Sequence, residues 1–463
     1  MHGRPAKLPV ADAFFRPWSG RDLGTECFFF LQGFLATLAV LYPYAGQAFR
    51  WFGYHPRVIA SALLALVALV SLMRFSFDKA KNGLAVLCVA LMVIAFLYAD
   101  WVQRDYAFQV QFDTEYYSGK LARFYQICFP LVVLGYLVSG SRRQTAFVRG
   151  TWWAVFVCGL IGLCVFALHR DFFLGQTSAS VHSFEGGFCT IALSIVIGLS
   201  AILLVERIPW KRWDYAWLPA LAIVEFFVIL LMRQRAHLIV LAVFVLARFW
   251  AVRAKLFSLI AVTILFGLGV VVVVKHYREY VVPETVRLYW AAAADGLMVE
   301  TRMGLFQQAV EGIRECPMGQ GLGSFCFDHY NKYPHNCLLE AFYELGLFGG
   351  LCVGAMGVMA CLHFVSLFAR PRHSGPSPPT WFLRAAVVFL LAHAMKANPL
   401  EDIGVFAYFL FISPDVRLPY RKADRRRHAS PAAHAPRWGR RPSSRTARSS
   451  SPVSISSKSS PPT

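Results

Sequence analysis

A short basic turn stands between two apolar runs of the sequence. The segment LMRQRAHL places Arg233, Arg235 and His237 within five residues of one another. The arginine fork matches phosphate oxygens and stays charged at any relevant pH, so the turn is one candidate anion site. The alternative is that the two arginines only extend from helix ends to the membrane surface.

A second basic group lies in the long polar segment 275–338. Within it, Glu300–Glu315 repeats apolar residues with helical spacing, which predicts an amphipathic helix packed against the membrane or the helix bundle. Arg302 opens this helix, where the N-terminal amides add to a positive field. An isolated arginine on a helix face is also commonly only solvated. The predicted apolar stripe consists of Leu305, Phe306, Ala309, Val310 and Ile313, and the glycine-rich sequence PMGQGLGSF follows it.

The third group is YPHNCLLEAFYELGLFGG, residues 333–350. His335 precedes Asn336 at the polar entry to an apolar run, and histidine is the side chain best suited to proton transfer near neutral pH. Taken alone, a histidine at a helix start is more often a cap or a hydrogen-bonding residue. Glu340 and Glu344 share one helix face and can orient His335 or pair with the outer arginines. The combination of arginines, one histidine and no zinc-type Cys/His spacing suits transfer from a phosphate-linked lipid donor.

The composition defines the environment of these groups. Hydrophobic residues make up 57% of the 463 residues and charged residues 16%, against roughly 45–50% and 25% in soluble domains. The mean hydropathy is +0.49. Because a helix satisfies its own backbone hydrogen bonds in lipid, the chain is predicted to be an all-α polytopic membrane protein.

Twelve apolar runs predict about twelve transmembrane helices. Lys and Arg follow every even-numbered run, which places both termini in the cytoplasm and the segment 275–338 outside. The predicted spans lie near 27–46, 58–73, 84–99, 122–138, 151–168, 187–205, 215–232, 237–250, 256–274, 339–364, 381–395 and 402–414.

The predicted organisation therefore has five parts. A cytoplasmic N-terminus (1–26) precedes helices 1–9 (27–274), the long outer loop (275–338), helices 10–12 (339–414) and a basic tail (415–463). From 421 to 458 the tail has eleven Lys or Arg and one acid, Asp424. With few apolar residues it is expected to stay disordered on anionic membrane lipids. Nucleic-acid binding is not expected, although the formal net charge is +20.

Three of these blocks together resemble the O-antigen ligase family. The pair His335–Asn336, nine residues and then Gly346 and Gly349 are similar to the HN-x9-G-x-x-G signature of that family. The upstream segment ETRMGLFQQAVEGIRECPMGQGLGSF resembles its arginine-and-helix block, and the RQR turn resembles its Ser-Arg turn with Gln234 in place of Ser. The resemblance covers roughly residues 190–365.

The resemblance implies a metal-independent, inverting membrane glycosyltransferase with a GT-C-like fold and no cofactor. Such an enzyme transfers an oligosaccharide from undecaprenyl diphosphate to a lipid A–core acceptor, with its active site at the periplasmic face of the bacterial inner membrane. By position, Arg235 and Arg302 would bind the diphosphate, and His335 would act as general base or orient the acceptor hydroxyl. Arg233, Asn336, Glu340 and Glu344 are the candidate substrate-binding residues.

Other functions remain open at the level of sequence. O-antigen polymerases and protein O-oligosaccharyltransferases share the same block, although the HN-x9-G-x-x-G spacing favours the ligase. A twelve-helix transporter or lipid-glycan flippase is the non-enzyme alternative. Such a transporter is expected to have pseudo-repeat halves and often a long loop between spans six and seven, whereas the long loop here follows span nine.

Overall fold

A computed structural model of the chain shows a helical protein. No strand occurs in the part of the chain that the structure describes. That part consists of residues 23–45, 56–74, 144–170, 190–206, 217–232, 234–252, 297–325, 336–368, 380–395 and 403–413, with single residues at 94, 97, 98 and 173.

Within these ranges the structure contains ten helices. Nine coincide with predicted spans, and the tenth is the predicted amphipathic helix of the outer loop. They are α1 (Leu23–Ala45), α2 (Pro56–Arg74), α3 (Gln144–Leu168), α4 (Thr190–Glu206), α5 (Trp217–Leu231), α6 (Arg235–Val252), α7 (Leu297–Glu315), α8 (Cys337–Leu367), α9 (Thr380–Ala394) and α10 (Ile403–Ile412).

The apolar helices are those of a membrane-embedded protein. Three of them, α1, α3 and α8, are long and apolar enough to cross a bilayer, and five of the others are shorter apolar helices. The predicted spans 84–99, 122–138 and 256–274 lie almost entirely outside the described residues, as does the basic tail. The total of twelve spans therefore stays a prediction.

Two glycines bring α1 and α3 into close contact. A Cβ atom on Gly33 would lie 2.0 Å from the backbone oxygen of Phe147, and a Cβ on Gly150 would lie 2.0 Å from the backbone oxygen of Phe30. Small residues at such a crossing let helix backbones approach closely, which is a common device in membranes. The hydroxyls of Thr37 on α1 and Tyr408 on α10 share a buried hydrogen bond of 2.9 Å, which ties the last helix to this pair.

Contacts at the ends of α4, α6 and α9 define their relative directions. The Arg248 guanidinium near the end of α6 donates a hydrogen bond to the carbonyl oxygen of Glu206, the last residue of α4. The same guanidinium lies 5.5 Å from the centre of the Trp381 ring at the start of α9. Thus α4 and α6 run in one direction and α9 in the other, in agreement with the alternation that the basic loops predict for spans six, eight and eleven.

Candidate functional site

The structure describes the predicted site residues to different extents. Asn336, Glu340 and Glu344 are described with their side chains, at the start of α8. Arg235 begins α6 and Arg302 lies in the first half of α7, and both are described by their backbone alone. Arg233 and His335, which the sequence also predicts at the site, lie outside the described residues.

Asn336 is the N-cap of α8. Its backbone is extended (φ −153°, ψ 104°), and its side-chain oxygen accepts hydrogen bonds from the backbone N–H groups of Leu338 and Leu339, at 3.0 and 3.2 Å. This bonding satisfies N–H groups that a helix start otherwise leaves unpaired. The cap fixes where the helix begins.

Glu340 and Glu344 lie one turn apart on α8, and both side chains are buried, with 1% and 0% of their surface exposed. A carboxylate in such a position must be matched by hydrogen-bond donors or by a cation. Neither side chain is therefore a solvated surface acid. That these carboxyl groups orient other groups of the site stays a prediction.

A backbone kink divides α8 at Gly346, whose φ is +70°. The kink frees the carbonyl groups of the preceding turn, and the glycine-rich segment after α7 binds them. Gln320 N–H donates to the Tyr343 carbonyl oxygen at 2.9 Å, and Gly321 N–H donates to the Glu344 carbonyl oxygen at 3.0 Å.

The kink also receives a hydrogen bond in the opposite direction. Leu347 N–H, beyond the break, donates to the Pro317 carbonyl oxygen at 2.9 Å instead of bonding within the helix. Three bonds between the two segments thus replace regular helical bonds, and buried backbone groups stay paired as they must. We call this contact the Gly346 clamp, formed by residues 317–321 and 343–347.

Glycine is required on both sides of the Gly346 clamp. A Cβ on Gly346 would lie 2.3 Å from the carbonyl carbon and oxygen of Met318, and a Cβ on Gly319 would lie 2.5 Å from the Gly346 nitrogen. Both residues also have positive φ, which side-chain-bearing residues rarely adopt. The sequence pattern signals both glycines, but it does not reveal that they contact each other.

The amphipathic helix α7 packs along the first turns of α8. Ala309 forms a small apolar cluster with Phe325 and Tyr343, and a Cβ on Gly312 would lie 2.2 Å from a ring carbon of Tyr343. Gly319 contacts α8 at Gly346, and Gly312, which lies earlier in the chain, contacts α8 at Tyr343, nearer its start. This directs the end of α7 that carries Arg302 toward the start of α8.

The structure agrees with part of the apolar stripe predicted for α7, but one predicted residue is exposed. Leu305, Ala309 and Ile313, spaced by four residues, belong to the cluster that faces α8. Val310 is instead exposed to 37%. The described cluster on this face is completed by Phe325 and by Leu339 and Tyr343 of α8.

The basic turn is held by contacts that the sequence does not predict. The Gln234 backbone N–H donates to the Ile229 carbonyl oxygen on α5 at 3.3 Å. His237 Nδ1 lies 2.8 Å from the Ser194 hydroxyl on α4, and His237 Nε2 lies 2.8 Å from His393 Nδ1 on α9. Of the three side chains in this chain of bonds, the sequence signals only His237, since Ser194 and His393 lie within apolar runs.

Comparisons with protein-family models, with curated proteins and with solved structures found no match to this chain. The functional interpretation therefore depends on the motifs in the sequence and on the geometry described above. Both the Gly346 clamp and the anchored basic turn belong to blocks that the sequence singled out for their chemistry.

Proposed function

We propose that the chain is an O-antigen ligase of the bacterial inner membrane, with its active site at the periplasmic face. It transfers a glycan from undecaprenyl diphosphate to a hydroxyl group of a lipid A–core acceptor. The Gly346 clamp carries this proposal, because it joins the block that contains Arg302 to the block that begins at His335 and Asn336. Two sequence motifs that lie apart in the chain thereby become one structural unit.

The exposure pattern of α8 supports a site next to lipid. From Cys337 to Leu345 no side chain is exposed, whereas Leu347, Leu351, Val358 and Val365 are each at least half exposed and share one face. An apolar face of this kind, on a helix long enough to cross the bilayer, is suited to contact lipid tails. The exposed stripe begins directly after Gly346, which supports the proposal that the head group of a lipid-linked diphosphate binds near the clamp.

The chemistry assigned to this unit needs a base and fixed cations. The acceptor oxygen attacks the anomeric carbon of the donor sugar while the bond from that carbon to the diphosphate oxygen breaks. His335 takes the proton of the acceptor hydroxyl, and undecaprenyl diphosphate leaves with the bonding electron pair. Arg235 and Arg302 stabilise the negative charge that develops on the leaving diphosphate, with Arg233 as a further contact, and losing one such contact costs roughly 10²–10³ in rate.

Complementation in two bacterial strains tests the proposal. One strain lacks its own O-antigen ligase, and the other lacks its O-antigen polymerase. We expect the full chain to restore the lipopolysaccharide ladder in the first strain only, and the His335→Ala variant to restore none at equal membrane level. The control is His329→Ala, which removes another histidine of the same outer loop and should keep the ladder.

The other outcomes separate the alternatives. Restoration in the polymerase-deficient strain alone would replace the ligase assignment by a polymerase. A ladder from His335→Ala would keep the transferase and remove the catalytic histidine. No change in either strain, with the protein present in the membrane, would contradict both forms of the proposal.

A further inference from the structure

A buried chain of hydrogen bonds connects three helices next to the basic turn. Ser194 on α4, His237 on α6 and His393 on α9 have 0%, 2% and 1% of their surface exposed. The Ser194 hydroxyl lies 2.8 Å from His237 Nδ1, and His237 Nε2 lies 2.8 Å from His393 Nδ1. We call these three residues the histidine chain.

The hydrogen bond that the Ser194 hydroxyl donates determines which atom is the donor in the other bonds of the histidine chain. The Ser194 hydroxyl donates its single proton to the Ile191 carbonyl oxygen at 2.7 Å, since a carbonyl can only accept. His237 Nδ1 must therefore donate to Ser194. A neutral His237 then accepts at Nε2 from the Nδ1–H of His393, so both ring nitrogens of His237 are hydrogen-bonded with both imidazoles neutral.

The histidine chain anchors the turn that carries the arginines. His237 lies two residues after Arg235, in the first turn of α6, and its ring is bonded to α4 and α9. The Gln234 backbone N–H is bonded to α5 through the Ile229 carbonyl oxygen. Gln234 and His237, on either side of Arg235, are thus bonded to three other helices, which restricts the position of the Arg235 backbone.

Neutral anchors have an electrostatic advantage at this place. An aspartate or glutamate bonded to the turn would fix it equally well, but its negative charge would pair with the arginines and weaken their attraction for a diphosphate. The histidine chain supplies directional hydrogen bonds without adding negative charge. It fixes the position of the cations while leaving their charge available.

We propose that Ser194 and His393 are positioning residues that act through His237 to hold Arg235 against the diphosphate of a polyprenyl-linked donor. The inference rests on the proposed function for its substrate class. It concerns residues outside the three motif blocks, and it makes a separate prediction about donor binding.

Kinetics with the full chain in nanodiscs test the proposal, with undecaprenyl-diphosphate-linked glycan as donor. We expect His393→Leu to lower kcat/KM for the donor by about a hundredfold, because a displacement near 1 Å of a binding group can cost that much. His393→Asn should keep most of the rate, because its side-chain N–H can donate to His237 Nε2 from nearly the position of the imidazole Nδ1.

The matched control is Tyr408→Phe, which removes a buried hydrogen bond of similar length, to Thr37, away from the turn. It should leave donor kinetics unchanged. A His393→Leu variant with unchanged kcat/KM would overturn the proposal. So would equal losses in His393→Leu and His393→Asn, or a comparable loss in Tyr408→Phe, since each would show a general packing effect.

A binding measurement separates this proposal from the proposed function. If the full chain binds undecaprenyl diphosphate but transfers no glycan, the transferase assignment fails. The positioning role is then supported if His393→Leu weakens binding of undecaprenyl diphosphate in nanodiscs while His393→Asn does not. Equal binding by the full chain and His393→Leu would overturn it.

Discussion

Replacement of Gly346 by alanine is the most direct perturbation of the site. The added Cβ would lie 2.3 Å from the carbonyl carbon and oxygen of Met318, both backbone atoms that cannot rotate away. The residue would also have to keep a φ of +70°. We therefore expect Gly346→Ala to separate the segment 317–321 from α8.

The size of the effect follows from the contacts that are lost. The clamp contains three backbone hydrogen bonds of 2.9 to 3.0 Å, each contributing about 1 kcal/mol net. A non-glycine residue in an unfavourable backbone conformation costs roughly 1–3 kcal/mol more. Together these terms amount to roughly 4–6 kcal/mol, enough to open the clamp while the apolar part of α8 stays in the membrane.

Limited proteolysis of membranes and the lipopolysaccharide ladder report on this change. Gly346→Ala should be cleaved in the outer segment 316–335 faster than the unmodified chain, and its transfer rate should fall about a hundredfold through misplacement of the site. The control is Gly354→Ala on the same helix, where a Cβ meets only Leu338 Cδ1, at an ordinary 3.8 Å. It should show neither effect.

The proteolysis result judges the clamp independently of any enzymatic function. Equal protease resistance in Gly346→Ala and Gly354→Ala would refute the structural reasoning. Faster cleavage together with an unchanged ladder would keep the clamp but remove its connection to transfer. Faster proteolysis of both variants would show that α8 tolerates no added methyl group at either position. The effect would then not be specific to the kink at Gly346.

Three further predictions concern the rest of the chain. Gly33→Leu should nearly abolish the protein in membranes, because even a Cβ there would lie 2.0 Å from the Phe147 carbonyl oxygen; immunoblots should show that Gly24→Leu, with nothing within 4 Å of its Cβ, keeps normal levels. Tyr408→Phe should lower the free energy of unfolding by about 1–2 kcal/mol, read as a lower Tm in detergent, because its buried hydroxyl partner is left unbonded. Deletion of 421–463 should leave the ladder intact, and its loss at normal membrane level would contradict the prediction that the tail is dispensable.

Hydrophobicity predicts most of the described helices but not where they begin. The apolar run 151–168 is helical, yet α3 begins seven positions earlier, at Gln144. The Gln144 side-chain amide donates to the Ile412 carbonyl oxygen on α10 at 2.7 Å. A polar side chain with such a partner can lie within the helix bundle. A hydropathy scale assigns each residue a value without regard to its partners, so it does not predict this start of the helix.

The histidine chain shows a different limit of sequence analysis. Ser194 lies 43 positions before His237, and His393 lies 156 positions after it. Each of the three residues stands in or beside an apolar run, where a single polar side chain is ordinarily a satisfied packing residue. Only the side-by-side arrangement of α4, α6 and α9 brings them together, and one sequence does not determine that arrangement.

The geometry of α8 explains how one apolar run can both cross the membrane and bind the outer loop. The sequence predicts a single span, 339–364, but the kink at Gly346 divides the helix. The part from Gly346 to Leu367 measures about 33 Å at 1.5 Å per residue, which matches a hydrocarbon core of about 30 Å. The nine residues from Cys337 to Leu345 then precede this part of the helix; among them Leu339 and Tyr343 pack against α7, whereas Cys337, Ala341 and Leu345 belong to the main hydrophobic core. A straight helix could cross the bilayer as well, but it would leave no unpaired carbonyl groups at the interface to hold the outer loop.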